Sequence, residues 1–153
     1  MTKPPPDRPP GELFAVFNEI AIIEQLARAL FEARLPPGIT APHFAVVSHL
    51  VRVADGRTPL QLARAFQVPK TSMTNTLAGL ERRGLVEMRP NPEDGRSKRV
   101  WLTDRGRAFR EEAIGALAPV LSAMAGELGA ARLSSLVPEL ARIRVWLDEN
   151  RDG

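Results

Sequence analysis

Positive charge and side chains suited to nucleic-acid contact concentrate in residues 57–110. This segment carries ten Arg and two Lys against five acidic residues, an excess of +7, whereas the remainder of the 153-residue chain sums to −4. Eighteen of the 21 basic residues are Arg, whose forked guanidinium stays charged and pairs with phosphates or guanine edges. The asymmetry indicates an anionic partner for the middle of the chain, although a solvated Arg-rich face explains the charge alone equally well.

Other chemistries find little support in the composition. The chain has no Cys, which excludes disulfides, thiolate catalysis and thiolate metal sites. Its two histidines, His43 and His49, are six residues apart and share no helix face, so we expect no metal site. No nucleophile–base pair or glycine-rich phosphate loop stands out, which predicts that the protein is not an enzyme and needs no cofactor. No apolar run approaches 18 residues and the Pro-rich N-terminus does not resemble a signal peptide, so we expect no membrane span and a cytoplasmic location.

Hydrophobic periodicity predicts the elements that must position the basic residues. Apolar spacings of three and four predict helices over 12–34 and 41–54, two short helices within 58–83, and helices over about 104–127 and 130–149. Thr58 and Thr103 are expected to cap helices. Pro119 is expected to kink its helix, and Pro138 either kinks the last helix or delays its start to about Val137.

The basic segment combines two such helices with a hairpin. The short link around residues 66–69 predicts a helix-turn-helix, whose second helix enters the major groove of DNA. Met73, Leu77 and Leu80 fall on its inward stripe. Strand-like residues 85–89 and 99–102 flank a run of turn formers at 90–95, which predicts a two-stranded wing with a charged tip.

These residues resemble the winged helix-turn-helix of the MarR family of bacterial transcriptional regulators. The resemblance is carried by Leu62-Ala63, Ser72-Met73-Thr74, LERRGLV at 80–86, Asp94-Gly95-Arg96 and LTDRG at 102–106. It implies a mainly α fold of six helices with a two-stranded β wing, assembled as an intertwined homodimer. The corresponding segments are a Pro-rich flexible arm (1–11), a dimerisation helix (12–36), the DNA-binding unit (40–103) and long dimerisation helices (104–153).

The resemblance also implies roles for particular residues. Arg96 is expected to reach the minor groove or its phosphates, with Asp94 orienting the guanidinium. Many relatives have Arg at the position of Asn75, so their base preference cannot be transferred. Some of the Ser and Thr residues are expected only to cap the helix, and either Lys98 or Arg99 is expected to point away. The full set of expected DNA contacts is Lys70, Thr71, Ser72, Thr74, Asn75, Arg96, Ser97, Lys98 and Arg99.

Two further interfaces follow from the resemblance. A dimer contact is expected at Leu13, Phe17, Leu133, Leu136, Leu140, Ile143 and Leu147, the alternative being an ordinary core within one chain. A small aromatic or anionic effector is expected near Phe17, His43, Phe44, Val47 and Arg52, although both histidines can equally be satisfied core or surface residues.

The sequence therefore predicts a homodimeric regulator that binds a pseudo-palindromic site in double-stranded DNA, more often a repressor in this family. The alternative is a winged-helix structural or assembly module without sequence-specific regulation. The charge favours the regulator, because the +7 excess coincides with the helix–wing unit.

Overall fold

In the computed structural model, which describes residues 9–151, the chain forms six helices and one two-stranded antiparallel sheet. The predicted mainly α winged-helix fold is therefore confirmed. The elements in chain order are α1 (Pro10–Glu32), α2 (Ala41–Arg52), α3 (Pro59–Phe66), α4 (Lys70–Arg82), β1 (Val86–Pro90), β2 (Lys98–Leu102), α5 (Asp104–Leu128) and α6 (Ala130–Glu149).

Helix α1 differs from its predicted bounds, whereas α6 has the predicted bounds of 130–149. Helix α1 begins at Pro10 instead of residue 12, because proline at the first helical positions costs no hydrogen bond. Residues 1–8 of the predicted flexible arm lie outside the described residues. Helix α6 begins at Ala130 and contains Pro138, so the alternative start near Val137 is wrong. Pro119 likewise lies inside α5.

Two threonines determine where helices of the winged unit begin. Thr58 Oγ1 accepts from Gln61 N (3.2 Å), and Gln61 Oε1 accepts from Thr58 N (2.9 Å), which forms a capping box at α3. Thr103 Oγ1 accepts from Gly106 N (3.0 Å) and donates to Gly84 O (2.6 Å), so the cap of α5 is also bonded to the turn that precedes β1. Both predicted caps are confirmed.

Gly106 lets α5 approach the start of the wing. A Cβ at this position would lie 2.1 Å from Leu85 O and 2.9 Å from Leu102 Cδ1, distances that real atoms do not reach. The first turn of α5 therefore contacts the backbone before β1 directly. This close approach is a physical reason for glycine within LTDRG.

The chain divides after Ala113 into two compact units. The first contains the hydrophobic core, whose fully buried members include Leu62, Leu77, Leu80, Val47 and Val100. In the second, no described residue is buried. Helix α1 of the first unit also has no buried residue.

Among residues 9–151, no single helix is long and apolar enough to cross a membrane. Helices α5 and α6 reach the required apolar length only when counted together across the bend between them.

Candidate nucleic-acid interface

Helices α3 and α4 form the predicted helix-turn-helix. Helix α3 ends at Phe66 and is capped by Gln67, which takes the left-handed conformation (φ 52°), and Val68 N donates to Ala63 O (3.0 Å) to close the turn. Pro69 precedes α4. Met73, Leu77 and Leu80 are buried, as predicted. The opposite face of α4 is therefore presented to solvent by a rigid core.

The N-terminal turn of α4 is open to an external acceptor. Lys70, Thr71 and Ser72 are exposed, and Pro69 has no side-chain acceptor, so no side chain caps this helix. The expectation that Thr71 or Ser72 only caps α4 thus finds no hydrogen bond to support it. The first N–H groups of a helix have no partner within the helix and suit a phosphate oxygen.

Thr74 and Asn75 differ in what they can offer to DNA. Thr74 Oγ1 donates to Lys70 O (2.9 Å), one turn earlier in the same helix. Its hydroxyl proton is therefore occupied, and in this rotamer the oxygen can only accept, so the expected DNA contact of Thr74 stays a prediction. Asn75 is exposed, and its amide has no hydrogen-bond partner among the described residues. An amide of this kind can both donate to and accept from an adenine edge.

The wing follows α4 as an antiparallel hairpin. Strand β1 pairs with β2 in a register from Val86↔Leu102 to Pro90↔Lys98, which leaves residues 91–97 as the wing tip. The bridge Arg57↔Val100 joins the α2–α3 connection to the edge of β2. Arg96, in the wing tip, is exposed, and its guanidinium has no partner among the described residues.

Asp94 does not orient the Arg96 guanidinium as expected. Its Oδ1 instead accepts from Arg96 N at 3.0 Å. A carboxylate two residues before a backbone N–H readily closes this local turn, which competes with the longer side-chain pairing. Asp94 therefore shapes the backbone at Arg96.

Of the two basic residues Lys98 and Arg99, Arg99 is bonded to other residues of the wing. Arg99 Nε donates to Asn91 Oδ1 (3.0 Å), and its Nη2 lies 3.2 Å from Glu93 Oε2. Lys98 is exposed. Ser97 is half-buried and accepts from Asn91 Nδ2 (2.9 Å), so it also belongs to the internal structure of the wing.

Ion pairs reduce the basic surface that the charge count suggested. Arg89 pairs with Glu87 and lies over the Trp101 ring, 5.4 Å from its centroid. Three further arginines of the basic segment have acidic partners, in the pairs Arg99–Glu93, Arg107–Asp55 and Arg110–Glu111. The exposed cations that remain on α4 and the wing include Lys70, Arg96 and Lys98.

Two residues that position the wing were not predicted from the sequence. Asn91 is buried in the wing tip, and Asp55 Oδ1 accepts from Leu102 N (2.9 Å) and Gly56 N (3.0 Å) at the base of the wing. Both stand in turn dipeptides, Asn91-Pro92 and Asp55-Gly56. That signal indicates a turn, but it does not show which distant strand atom the side chain will bind.

The expected effector residues differ in burial and surroundings. Val47 is fully buried, and the Phe44 ring packs 4.6 Å from Phe31 and 6.4 Å from Phe109. Phe17 and Arg52 are exposed. A cleft of about 360 Å³ lies elsewhere in the first unit and is lined by Pro36, Ile39, Arg82, Arg83, Leu85, Arg105, Ala108, Phe109 and Glu112.

Both histidines are half-buried and contact neighbouring groups of the fold. His43 Nδ1 accepts from Thr40 N (3.1 Å), and burial, then the charges of Arg83 and Arg82, lower the pKa of its imidazole. Burial, then Arg57 and Arg52, also lower the pKa of His49, whose ring lies 5.4 Å from that of Phe66. Among residues 9–151, no group of three acidic or histidine side chains is arranged to hold a metal ion.

The expected dimer residues are largely exposed in the single chain. Leu13 and Phe17 of α1 are 56% and 42% exposed, so they do not form a core within this chain. On α6, Leu136, Leu140 and Leu147 are exposed, whereas Leu133 and Ile143 are half-buried. Each helix thus presents apolar surface that its own chain leaves uncovered.

Comparisons with known proteins agree with this geometry. Residues 38–97 match the sequence profile of the MarR family. The chain is similar to a MarR-family transcription regulator of known structure, with 26% identity, a TM-score of 0.72 and coverage of 94% of this chain and 95% of that one. It is also similar to a mutant MarR from E. coli solved with operator DNA (29% identity, TM-score 0.68, 86% and 95% covered).

A third match bears on the fold alone. The structure of BpsR from Bordetella bronchiseptica, solved to explain regulation of its DNA binding by 6-hydroxynicotinic acid, is 23% identical. Its TM-score is 0.68, and the match covers 85% of this chain and 98% of that one.

Proposed function

We propose that the chain is a MarR-family winged-helix transcription regulator, which binds a pseudo-palindromic operator as a homodimer and represses transcription. The observation that carries the proposal is the exposed face of α4: an uncapped N-terminus and a free Asn75 amide on a helix whose other face is anchored in the core. Phosphate contacts position such a helix, and side chains read the base edges. A DNA-binding role of this kind, without catalysis, also implies a cytoplasmic location.

The direct test is selection of bound sequences from random duplex DNA. A two-fold dimer is expected to enrich two inverted half-sites with centres about 34 Å apart, one turn of the duplex. Enrichment of a single half-site would contradict the dimeric arrangement. Binding without any enrichment would favour the alternative, a winged-helix assembly module that contacts DNA or another acidic partner without sequence preference. Transcription from a promoter that carries the selected site then tests repression, which a rise in transcription would contradict.

The homodimer is supported by the apolar residues that α1 and α6 leave exposed. Leu140 is one of them, and the half-buried Ile143 lies three residues further along α6. Replacing both with Glu is expected to dissociate the dimer, because it places charges in an apolar contact. Arg142→Glu, in the same turn and 79% exposed at its side chain, is the matched control. A Leu140→Glu/Ile143→Glu protein that sediments as a dimer would contradict the assigned contact.

We propose the cleft of the first unit as the site of a small aromatic or anionic effector. Its volume of about 360 Å³ falls within the range of small-molecule sites. Arg82, Arg83 and Arg105 supply positive charge, and Phe109 and Leu85 supply apolar surface. Arg83 also donates to Pro37 O in the α1–α2 connection, so a ligand that displaces this contact would act on both that connection and the end of α4.

Benzoate is a suitable first probe for this cleft. It is expected to lower the DNA affinity of the wild type and to have less effect on Arg105→Ala, with Arg107→Ala on the same helix as the control outside the cleft. Equal responses from all three proteins would refute the site.

A further inference from the structure

The wing tip has an internal polar core of its own. Among the described residues, Asn91 is the only polar side chain that is buried, at 8% exposure. Buried amides are costly unless their hydrogen bonds are satisfied, so such a residue specifies a geometry. We propose that Asn91 is a positioning residue that sets the approach of Arg96 to DNA. The proposal rests on the proposed DNA-binding function.

Asn91 closes the wing tip with five hydrogen bonds. Its Oδ1 accepts from Glu93 N (3.1 Å) and Arg99 Nε (3.0 Å), and its Nδ2 donates to Ser97 Oγ (2.9 Å). Its backbone N donates to Ser97 O, and its backbone O accepts from Asp94 N, both at 3.3 Å. One residue thereby joins both ends of the 91–97 loop and the first turn within it.

This network continues to Arg96 through Asp94. Asp94 donates to Asn91 with its backbone N–H, accepts from Ser97 N with its backbone oxygen (3.1 Å), and accepts from Arg96 N with Oδ1 (3.0 Å). A Cβ placed on Gly95 would meet nothing within 4 Å. Beside Arg96, the tip is therefore held by hydrogen bonds from within instead of by packing.

The same network assigns different tasks to the two arginines of the tip. Arg99 is bonded to Asn91 and paired with Glu93, so its charge is used inside the wing. Arg96 is exposed and has no side-chain partner among the described residues. A loop ordered before binding loses less conformational freedom when its arginine meets DNA, which is how Asn91 contributes to affinity without contacting DNA.

A double-mutant cycle between Asn91 and Arg96 tests this role. We expect Asn91→Ala to weaken binding to the selected operator by about tenfold, the effect of losing one preordered side chain in each half of a dimer. In an Arg96→Ala background the same substitution is expected to have almost no effect, because the arginine it positions is absent. Asn150→Ala, which removes an amide bonded to Trp146 O (2.8 Å) at the end of α6, is the matched control and is expected to leave the affinity unchanged.

Asp94→Ala provides a second variant at an exposed position. It removes a negative charge, so electrostatics alone predicts tighter binding to DNA, whereas the positioning role predicts weaker binding that disappears in the Arg96→Ala background. Circular dichroism confirms that each variant is folded at the assay temperature, and Asp94→Ala decides the question if Asn91→Ala does not fold.

The outcomes separate this inference from the proposed function. If Arg96→Ala weakens binding but Asn91→Ala acts equally with and without Arg96, Asn91 is merely structural and the inference is wrong. Tighter binding by Asp94→Ala would also overturn it. If the wild type binds no duplex DNA, or if Arg96→Ala binds as the wild type does, the proposed DNA contact itself fails.

Discussion

Replacing Arg96 with alanine isolates the contribution of the wing to DNA binding. The side chain is exposed and has no partner among the described residues, so its removal is expected to change the free energy of unfolding by no more than about 0.5 kcal/mol. Any loss of affinity then reports a contact with DNA and not damage to the fold.

The expected loss follows from the symmetry of the proposed homodimer. One arginine contact contributes about 1–3 kcal/mol, so two wings together account for at least about 2 kcal/mol, or roughly 30-fold in Kd. If each Arg96 neutralises one phosphate, the slope of log K against log salt concentration decreases by about 0.9 per wing, or about 1.8 per dimer.

A salt titration by fluorescence anisotropy measures both quantities on a labelled operator. Arg151→Ala is the matched control, because it removes one positive charge near the end of the chain, where Arg151 pairs with Asp148. We expect the control to follow the wild type. An unchanged affinity and salt slope for Arg96→Ala would refute the assignment of the wing as a DNA contact.

Three other predictions concern different parts of the molecule. Asn75→Ala should relax base preference at one position of each half-site by about 1–3 kcal/mol while barely changing non-specific binding; equal losses on both DNAs would show a phosphate contact. Gly106→Ala should destabilise the protein by about 1–3 kcal/mol or more, because the added Cβ would lie 2.1 Å from Leu85 O. In the control Gly115→Ala, on the same helix, the added Cβ meets nothing within 4 Å, and the substitution should stabilise the protein by up to about 1 kcal/mol. Similar melting temperatures for the two variants would refute the close approach. The lowered pKa values of His43 and His49 mean that the unfolded state binds more protons, so the free energy of unfolding should decrease as pH falls through about 6.5. Between pH 7.5 and 5.5, urea unfolding should show a smaller decrease for His43→Gln than for the wild type. An identical decrease in the two proteins would contradict the role of His43.

The sequence alone determined the order and type of every element that the structure describes. Helix periodicity and the caps Thr58 and Thr103 are local signals, because they depend on residues within one or two turns of each other. The buried stripe of Met73, Leu77 and Leu80 follows from the same local periodicity, and it already implied which face of α4 is exposed.

Only the tertiary structure decided how individual polar side chains of the wing are used. Lys98 and Arg99 are adjacent and chemically similar in the sequence, yet Arg99 is retained by Asn91 and Glu93 across the wing tip. Asp94 bonds the backbone of Arg96 because the turn places that N–H 3.0 Å from its carboxylate oxygen. Hydrogen bonding depends on distance and angle in the folded hairpin, and residue type restricts these only weakly.

The positive charge available to a partner likewise depends partly on the sequence and partly on the fold. Its excess of +7 is a property of composition, and it indicates the helix–wing unit as the candidate interface. How much of that charge is free for a partner depends on the pairs Arg89–Glu87, Arg99–Glu93, Arg107–Asp55 and Arg110–Glu111. Two of those pairs, Arg99–Glu93 and Arg107–Asp55, join different segments of the chain, so the fold as well as the count determines which charges remain exposed on the wing.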